Sequence, residues 1–220
     1  MIDIIKETAT PSTKAAGNPD VVILLDASGS MSQQRESVVS TFNEYVQSVK
    51  DTAHSISLYT FDSKGIFEKI YKENPSRIKK LTTDDYKPDA MTPLYDAMGK
   101  VMTKFEESNR NVQFVTHTDG LENDSKEWSY AKLKEYIDIL TKKGWLFVYL
   151  GEGVEGKSEL QKFEGLKVNF SSQNRGVATE SLKAVTRRYA SHGFTSAECY
   201  ASHGDSIDAD AKNWQEQLKK

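Results

Sequence analysis

The stretch VVILLDASGSMS, residues 21–32, contains the pattern that decides the fold. Its first five residues form a continuous apolar run, which is typical of a strand covered on both faces in a parallel sheet. Asp26, Ser28 and Ser30 follow directly, on the turn into a segment whose apolar residues recur at helical spacing. The sequence therefore predicts a buried strand that ends in a cluster of side-chain oxygens.

Strand and helix patterns alternate along the rest of the chain. The segments 56–61 and 66–71 flank the turn Asp62-Ser63-Lys64-Gly65, and this arrangement predicts a hairpin. The alternation as a whole predicts an α/β fold around a mostly parallel sheet. The remaining predicted elements are strands at 112–117, 145–150 and 166–170, and helices over 32–50, from Pro93, over roughly 126–142 and over 177–191.

Composition narrows the classes of function. The chain has 220 residues, with 29 basic and 32 acidic side chains and a formal net charge of −3, so it lacks the basic excess of a nucleic-acid-binding surface. No apolar run approaches the ~20 residues of a membrane helix, and the N-terminus does not resemble a secretory signal. Cys199 is the single cysteine, which fits a reducing compartment. We expect a cytoplasmic protein that binds neither nucleic acid nor membrane.

Two further loops carry oxygen ligands like those of the first. Thr92 lies in AMTPLYDAM, at a predicted helix start, where it also suits the role of N-cap. Asp119 lies in Thr118-Asp119-Gly120, directly after a predicted core strand. Carboxylates and hydroxyls are hard ligands that suit Mg²⁺ or Mn²⁺. Helix capping by serine explains the first loop alone equally well, but it does not explain the three loops together.

Taken in order, Asp-x-Ser-x-Ser, Thr-Pro-Leu and Thr-Asp-Gly resemble the motifs of the von Willebrand factor A (vWA) domain. The resemblance covers about 20–192, and TPLYDAM, TDGLENDSKEW and KKGWLFVYLG look closest to intracellular bacterial and bacteriophage vWA proteins. It implies a Rossmann-like α/β fold with a mostly parallel central sheet, one antiparallel edge strand and helices on both faces. It also implies a metal-ion-dependent adhesion site (MIDAS) built from the three loops.

The resemblance assigns a role to each ligand. It implies that Ser28 and Ser30 bind the metal directly, that Asp26 and Asp119 bind largely through water, and that Thr92 changes between direct and water-mediated contact. An Asp or Glu of a protein partner would complete the coordination, which agrees with the preference of Mg²⁺ for about six oxygens. The implied function is a divalent-cation-dependent protein-binding module rather than an enzyme.

Two neighbours of these ligands depart from the family's pattern. Met91 stands where the family often has glycine before the threonine, and His117 lies two residues before Asp119. Either residue could alter how the threonine loop moves, although neither removes a ligand.

A competing interpretation comes from GEGVEGKS, residues 151–158, which matches the P-loop pattern G-x-x-x-x-G-K-[ST]. It would make the protein a nucleotide-binding hydrolase that uses Lys157 and Ser158. The following helix, SELQKFEG, stops at Gly165, and Glu155 places a negative charge where phosphate would bind. We keep nucleotide hydrolysis as the alternative function, and a scaffold with a purely structural metal as a third.

The two ends of the chain are predicted to lie outside the domain. Residues 1–19 read as a flexible arm, and 193–220 as a helical extension whose apolar residues form a narrow stripe. The stripe suits either docking on the helical layer or, with Gly204 as a hinge, binding to a partner or to a second copy of the chain. Its members are Ile207, Ala211, Trp214 and Leu218.

Overall fold

The computed structural model of the chain describes residues 17–119, 122–151, 159–163, 165–169 and 175–192. The predicted N-terminal arm lies almost wholly outside the described residues, and the C-terminal extension lies entirely outside them. The domain boundaries therefore stay predictions.

Within the described ranges, six strands form one sheet, in the order β3-β2-β1-β4-β5-β6. All neighbouring pairs are parallel except β2 and β3, so the edge strand β3 is antiparallel, as predicted. The strands are β1 Asp20–Asp26, β2 Ser55–Asp62, β3 Gly65–Glu73, β4 Val112–His117, β5 Leu146–Gly151 and β6 Leu166–Asn169.

In the part of the chain that the structure describes, four α-helices cover the sheet on both faces, α1 and α4 on one and α2 and α3 on the other. Short 3-10 helices occur at Gly29–Gln34, Pro75–Arg77 and Glu159–Lys162. None of the described helices is long and apolar enough to cross a membrane. The α-helices are α1 Arg35–Ser48, α2 Leu94–Thr103, α3 Tyr130–Lys142 and α4 Arg175–His192.

The central strand β1 is buried along its whole length, which explains its unbroken apolar run. Val21, Ile23 and Leu25 pack towards α1 and α4, whereas Val22 and Leu24 pack towards α2 and α3. Burial on both faces fixes this strand firmly, and its last residue, Asp26, is therefore held at a defined place on the edge of the sheet.

Two predicted helix starts were wrong. The N-cap of α2 is Pro93 and not Thr92, so the threonine hydroxyl is not used for capping. Helix α3 begins at Tyr130, four residues later than predicted, with the Ser129 side chain accepting a hydrogen bond from the Lys132 amide at 3.3 Å. The delay has a physical cause, because the amides of residues 126–128 donate to the Asp96 carboxylate.

Candidate metal centre

The first loop of the candidate site is organised around Asp26, whose side chain is fully buried. One carboxylate oxygen accepts the Ser28 amide at 2.8 Å, and the other accepts the Thr118 hydroxyl. The Ser28 and Ser30 hydroxyl oxygens lie 3.2 Å apart. Ser28 is the N-cap residue of the short 3-10 helix, yet its side chain makes no capping bond to any described residue. Serine capping therefore does not account for this loop.

Asp119 approaches from the neighbouring strand. Strands β1 and β4 are paired in parallel with Leu25 opposite His117, so their carboxyl ends meet at one edge of the sheet. The Oδ1 atom of Asp119 is buried and has no hydrogen-bond partner among the described residues. A buried carboxylate oxygen without a partner is costly, so a cation or a bound water at this atom would be stabilising.

The surroundings of Asp26, including the charge of Asp119, raise the cost of ionising its carboxylate. Burial raises the pKa of Asp26 to about 6, and the charge of Asp119 adds to that shift, although hydrogen bonds from Thr118 and Ser28 oppose it. Burial, and then the charges of Asp26 and Asp119, also raise the pKa of the Tyr86 phenol. A cation between the carboxylates would offset this electrostatic cost.

His117 does not supply that positive charge. Its imidazole is buried, and burial lowers its pKa to about 4, so the ring is neutral at pH 7. It lines a cavity of about 20 Å³ beneath α1, together with Thr41 and Tyr45. The negative charge of the candidate site is therefore not balanced by this neighbour.

Thr92 reaches the site on a loop that is hydrogen-bonded to the first. The Gly29 amide donates to the Ala90 carbonyl at 3.0 Å, and the Asp89 amide donates to the Ala27 carbonyl at 2.7 Å. Thr92 is 2 % exposed, whereas Met91 beside it is 49 % exposed. Ala90 has a φ of 69°, a conformation that glycine adopts more readily, so the turn before the threonine is strained.

Several residues that support the site were not predicted. Thr118 holds the Asp26 carboxylate, and the Tyr86 hydroxyl donates to the Asp26 carbonyl from a loop 60 residues away. Asn123 bonds to the backbone of Thr92. Thr118 and Asn123 both lie in the motif TDGLENDSKEW, and their hydrogen-bonding side chains are the sequence signal that points to them. No sequence signal pointed to Tyr86.

The donor atoms of the five predicted ligands indicate which metal ions the candidate site suits. Among the described residues no group of three or more His, Cys, Asp or Glu side chains is placed to hold a metal. The candidate set instead combines two carboxylates with three hydroxyls, which are hard oxygen donors. Such a set fits Mg²⁺ or Mn²⁺, and the unpartnered oxygen of Asp119 is where a cation or its water would be received.

The P-loop alternative falls mostly outside the described residues. Gly151 ends β5, and residues 152–158 are not described. The segment that follows is a short 3-10 helix, Glu159–Lys162, rather than the long helix that a P-loop opens. Nucleotide binding by Lys157 and Ser158 stays an untested prediction.

Comparisons with known proteins agree on the fold. No protein-family model and no curated protein sequence matches the chain. Among solved structures, the ArnB paralog VWA2 of Sulfolobus acidocaldarius is 21 % identical, with a TM-score of 0.55 over 76 % of this chain and 46 % of its own. Proximal thread matrix protein 1 of the mussel byssus, with a zinc-occupied MIDAS motif, is 16 % identical, with a TM-score of 0.55 over 78 % of this chain and 46 % of its own.

A third similar structure is the manganese-loaded TRAP protein of Plasmodium vivax. It is 16 % identical, with a TM-score of 0.54 over 80 % of this chain and 75 % of its own. The chain spans about half the length of the first two proteins. At these identities the comparisons establish the fold alone, and that fold is the Rossmann-like α/β fold of a vWA domain.

Proposed function

We propose that this chain is a divalent-cation-dependent protein-binding module. The observation that carries the proposal is the buried Oδ1 of Asp119, which has no partner among the described residues and whose carboxylate interacts with that of Asp26. Burial raises the pKa of Asp26 to about 6. The buried carboxylate of Asp26 and the buried oxygen of Asp119, at one edge of a sheet, cost free energy unless a cation joins them. The adjacent hydroxyls of Ser28 and Ser30 supply neutral ligands for the same ion.

The ion we propose is Mg²⁺ or Mn²⁺. Ser28 and Ser30 would bind it directly, Asp26 and Asp119 largely through water, and Thr92 by a contact that changes with the state of the site. Two of the similar structures hold a metal, zinc in one and manganese in the other, which supports a divalent ion here. The bound ion would supply positive charge and open coordination positions at the surface.

The partner we propose is a protein that offers an Asp or Glu to the metal. Because Asp26 and Asp119 are proposed to bind largely through water, the ion keeps coordination positions at which a partner's carboxylate can displace water. The similar structures include a pilus adhesin, which supports a role in binding rather than catalysis. We place this role in the cytoplasm of a bacterial cell or a phage-infected host, with self-association through the C-terminal helix as a further proposal.

Affinity capture tests the proposal. The immobilised chain is incubated with lysate of the organism that carries the gene, in Mg²⁺ or in EDTA, and the bound proteins are quantified by mass spectrometry. We expect a partner that is enriched at least about tenfold in Mg²⁺ and lost with Ser30→Ala, because the exposed Ser30 is a proposed metal ligand with little structural role.

Two controls complete the experiment. Lys157→Ala should capture the partner as well as wild type, since only the nucleotide alternative requires this lysine. Replacing the partner's contacting Asp or Glu by the amide should abolish capture. A partner retained equally in EDTA, or by Ser30→Ala, would contradict the metal-dependent mechanism.

A further inference from the structure

Helix α2 receives its N-terminal caps from a distant loop. The first turn of a helix leaves amide groups without partners inside the helix, and side chains normally satisfy them. In α2, side chains of the loop after β4 accept hydrogen bonds from these amide groups. The Tyr95 amide donates to Glu122 Oε2 at 2.9 Å and the Asp96 amide to Ser125 Oγ at 3.0 Å. Just before the helix, the Thr92 amide donates to Asn123 Oδ1 at 2.9 Å.

The loop is held by the helix in return. The Asp96 carboxylate accepts the amides of residues 126, 127 and 128 at 3.0, 2.9 and 2.8 Å. The Asn123 amide donates to the Thr92 carbonyl at 3.2 Å. Burial raises the pKa of Asp96, but these backbone donors together bring it below its ordinary value, so the carboxylate stays charged. We call residues 92–96 and 122–128 together the α2 clasp.

Asn123 is the part of the α2 clasp that bears on the candidate metal centre. It binds both the amide and the carbonyl of Thr92, one through its side chain and one through its backbone. On its other side, the threonine loop is joined to the Ser28–Ser30 turn through Gly29 and Ala90. Thr92 is therefore fixed from both directions, and the Asn123 side chain is the point at which one substitution can release it.

We infer that Asn123 is a positioning residue for the metal centre, holding Thr92 where its hydroxyl can serve the ion. This inference rests on the proposed function. It also implies that any movement of Thr92 on partner binding requires either rupture of the Asn123 contacts or movement of the α2 clasp as a unit. Asn123 acts through the backbone of Thr92 and touches neither the ion nor the partner.

Two variants separate this role from general stabilisation. Asn123→Ala removes the acceptor for the Thr92 amide, whereas Asn123→Asp retains a side-chain oxygen in the same place. The matched control is Asn74→Ala. Asn74 caps a short 3-10 helix in the same way, through its Oδ1 and the Ser76 amide at 2.9 Å, on an exposed segment at the end of β3.

The first measurement needs no metal. Amide hydrogen exchange of Thr92, followed by NMR in EDTA, should quicken about three- to tenfold in Asn123→Ala and stay slow in Asn123→Asp. The second is the Mn²⁺ dissociation constant from calorimetry. It should rise about three- to tenfold in Asn123→Ala, and it should be no weaker than wild type in Asn123→Asp and unchanged in Asn74→Ala.

The outcomes distinguish the inference from the function on which it rests. Unchanged exchange of the Thr92 amide in Asn123→Ala, or an Mn²⁺ dissociation constant within twofold of wild type, would overturn the positioning role while leaving metal binding in place. Failure of wild type itself to bind Mn²⁺ would remove the proposed function, and with it the role of Asn123. Equal weakening by Asn123→Ala and Asn74→Ala would show a general loss of stability instead.

Discussion

Asp26→Asn should make the metal-free protein more stable at pH 7.5 and insensitive to Mg²⁺. The pKa of Asp26 is raised from 3.8 to about 6 by burial, so the folded state favours the neutral carboxyl. Ionisation then costs the fold about 3 kcal/mol, since one pKa unit corresponds to about 1.4 kcal/mol. The amide keeps the shape and removes the charge, so we expect a gain of about 1–3 kcal/mol, less any loss from altered hydrogen bonds to Thr118.

The sign of the pH dependence follows from the raised pKa. The metal-free wild type should lose stability as pH rises from about 4 to about 6, where Asp26 ionises in the fold, and should lose no more from this group above that range. The advantage of Asp26→Asn should therefore shrink as pH falls from 6 to 4. Chemical denaturation in EDTA at several pH values measures this difference.

Magnesium should stabilise the wild type but not Asp26→Asn, so that the advantage of the variant narrows. At ten times the dissociation constant, a bound ion adds about 1.4 kcal/mol. The matched control is Asp20→Asn, at the opposite end of β1, where a buried carboxylate accepts the hydroxyls of Ser55 and Ser108. This control should retain the response to Mg²⁺. A persistent response in Asp26→Asn would place the ion elsewhere.

Gly99→Ala should destabilise the fold by about 2–3 kcal/mol, although alanine is the better helix former. Gly99 lies inside α2, and a Cβ there would be 2.2 Å from two ring carbons of Trp128. The ring cannot simply retreat, because it packs on Tyr136 at 5.4 Å and its backbone amide donates to Asp96. Overpacking of this kind typically costs 1–3 kcal/mol, and a rigid indole should place it at the upper end.

A double-mutant cycle isolates the contact between Gly99 and Trp128. In a Trp128→Ala background the same substitution should stabilise by up to about 1 kcal/mol, the difference in helix propensity between alanine and glycine. Gly176→Ala in α4 is the matched control, because nothing lies within 4 Å of a Cβ there. It should stabilise the protein. If Gly99→Ala were as favourable as Gly176→Ala, the close packing of Trp128 on α2 would be wrong.

The fold was predictable because the sequence patterns of its strands, turns and helices are local and strong. The apolar run of β1, the hairpin turn at Asp62–Gly65 and the helical spacing in α1 and α2 each reflect burial that the sequence pattern encodes directly. The predicted strand 112–117 coincides with β4. The starts of α2 and α3 were missed because their amides are satisfied by side chains that are distant in sequence, and local capping patterns do not contain that information.

The candidate site was predictable only in part for the same reason. Side chains at strand ends could be assigned to one edge of the sheet, which brought Asp26 and Asp119 together. Tyr86 and the reciprocal hydrogen bonds of the α2 clasp depend on contacts between loops, which neither spacing nor periodicity reveals. The strain at Ala90 likewise appears only in the backbone conformation.

Anomalous scattering from Mn²⁺ would show directly whether an ion binds at the candidate metal centre. Crystals grown in EDTA and soaked in Mn²⁺ would give an anomalous difference map in which a bound ion is located without assumptions about its ligands. We predict a peak at the edge of the sheet, within bonding distance of the Ser28 and Ser30 hydroxyl oxygens and absent in Asp26→Asn. A saturating soak that leaves this place without a peak, or that puts the ion beside Lys157 and Ser158, would contradict the proposed metal centre.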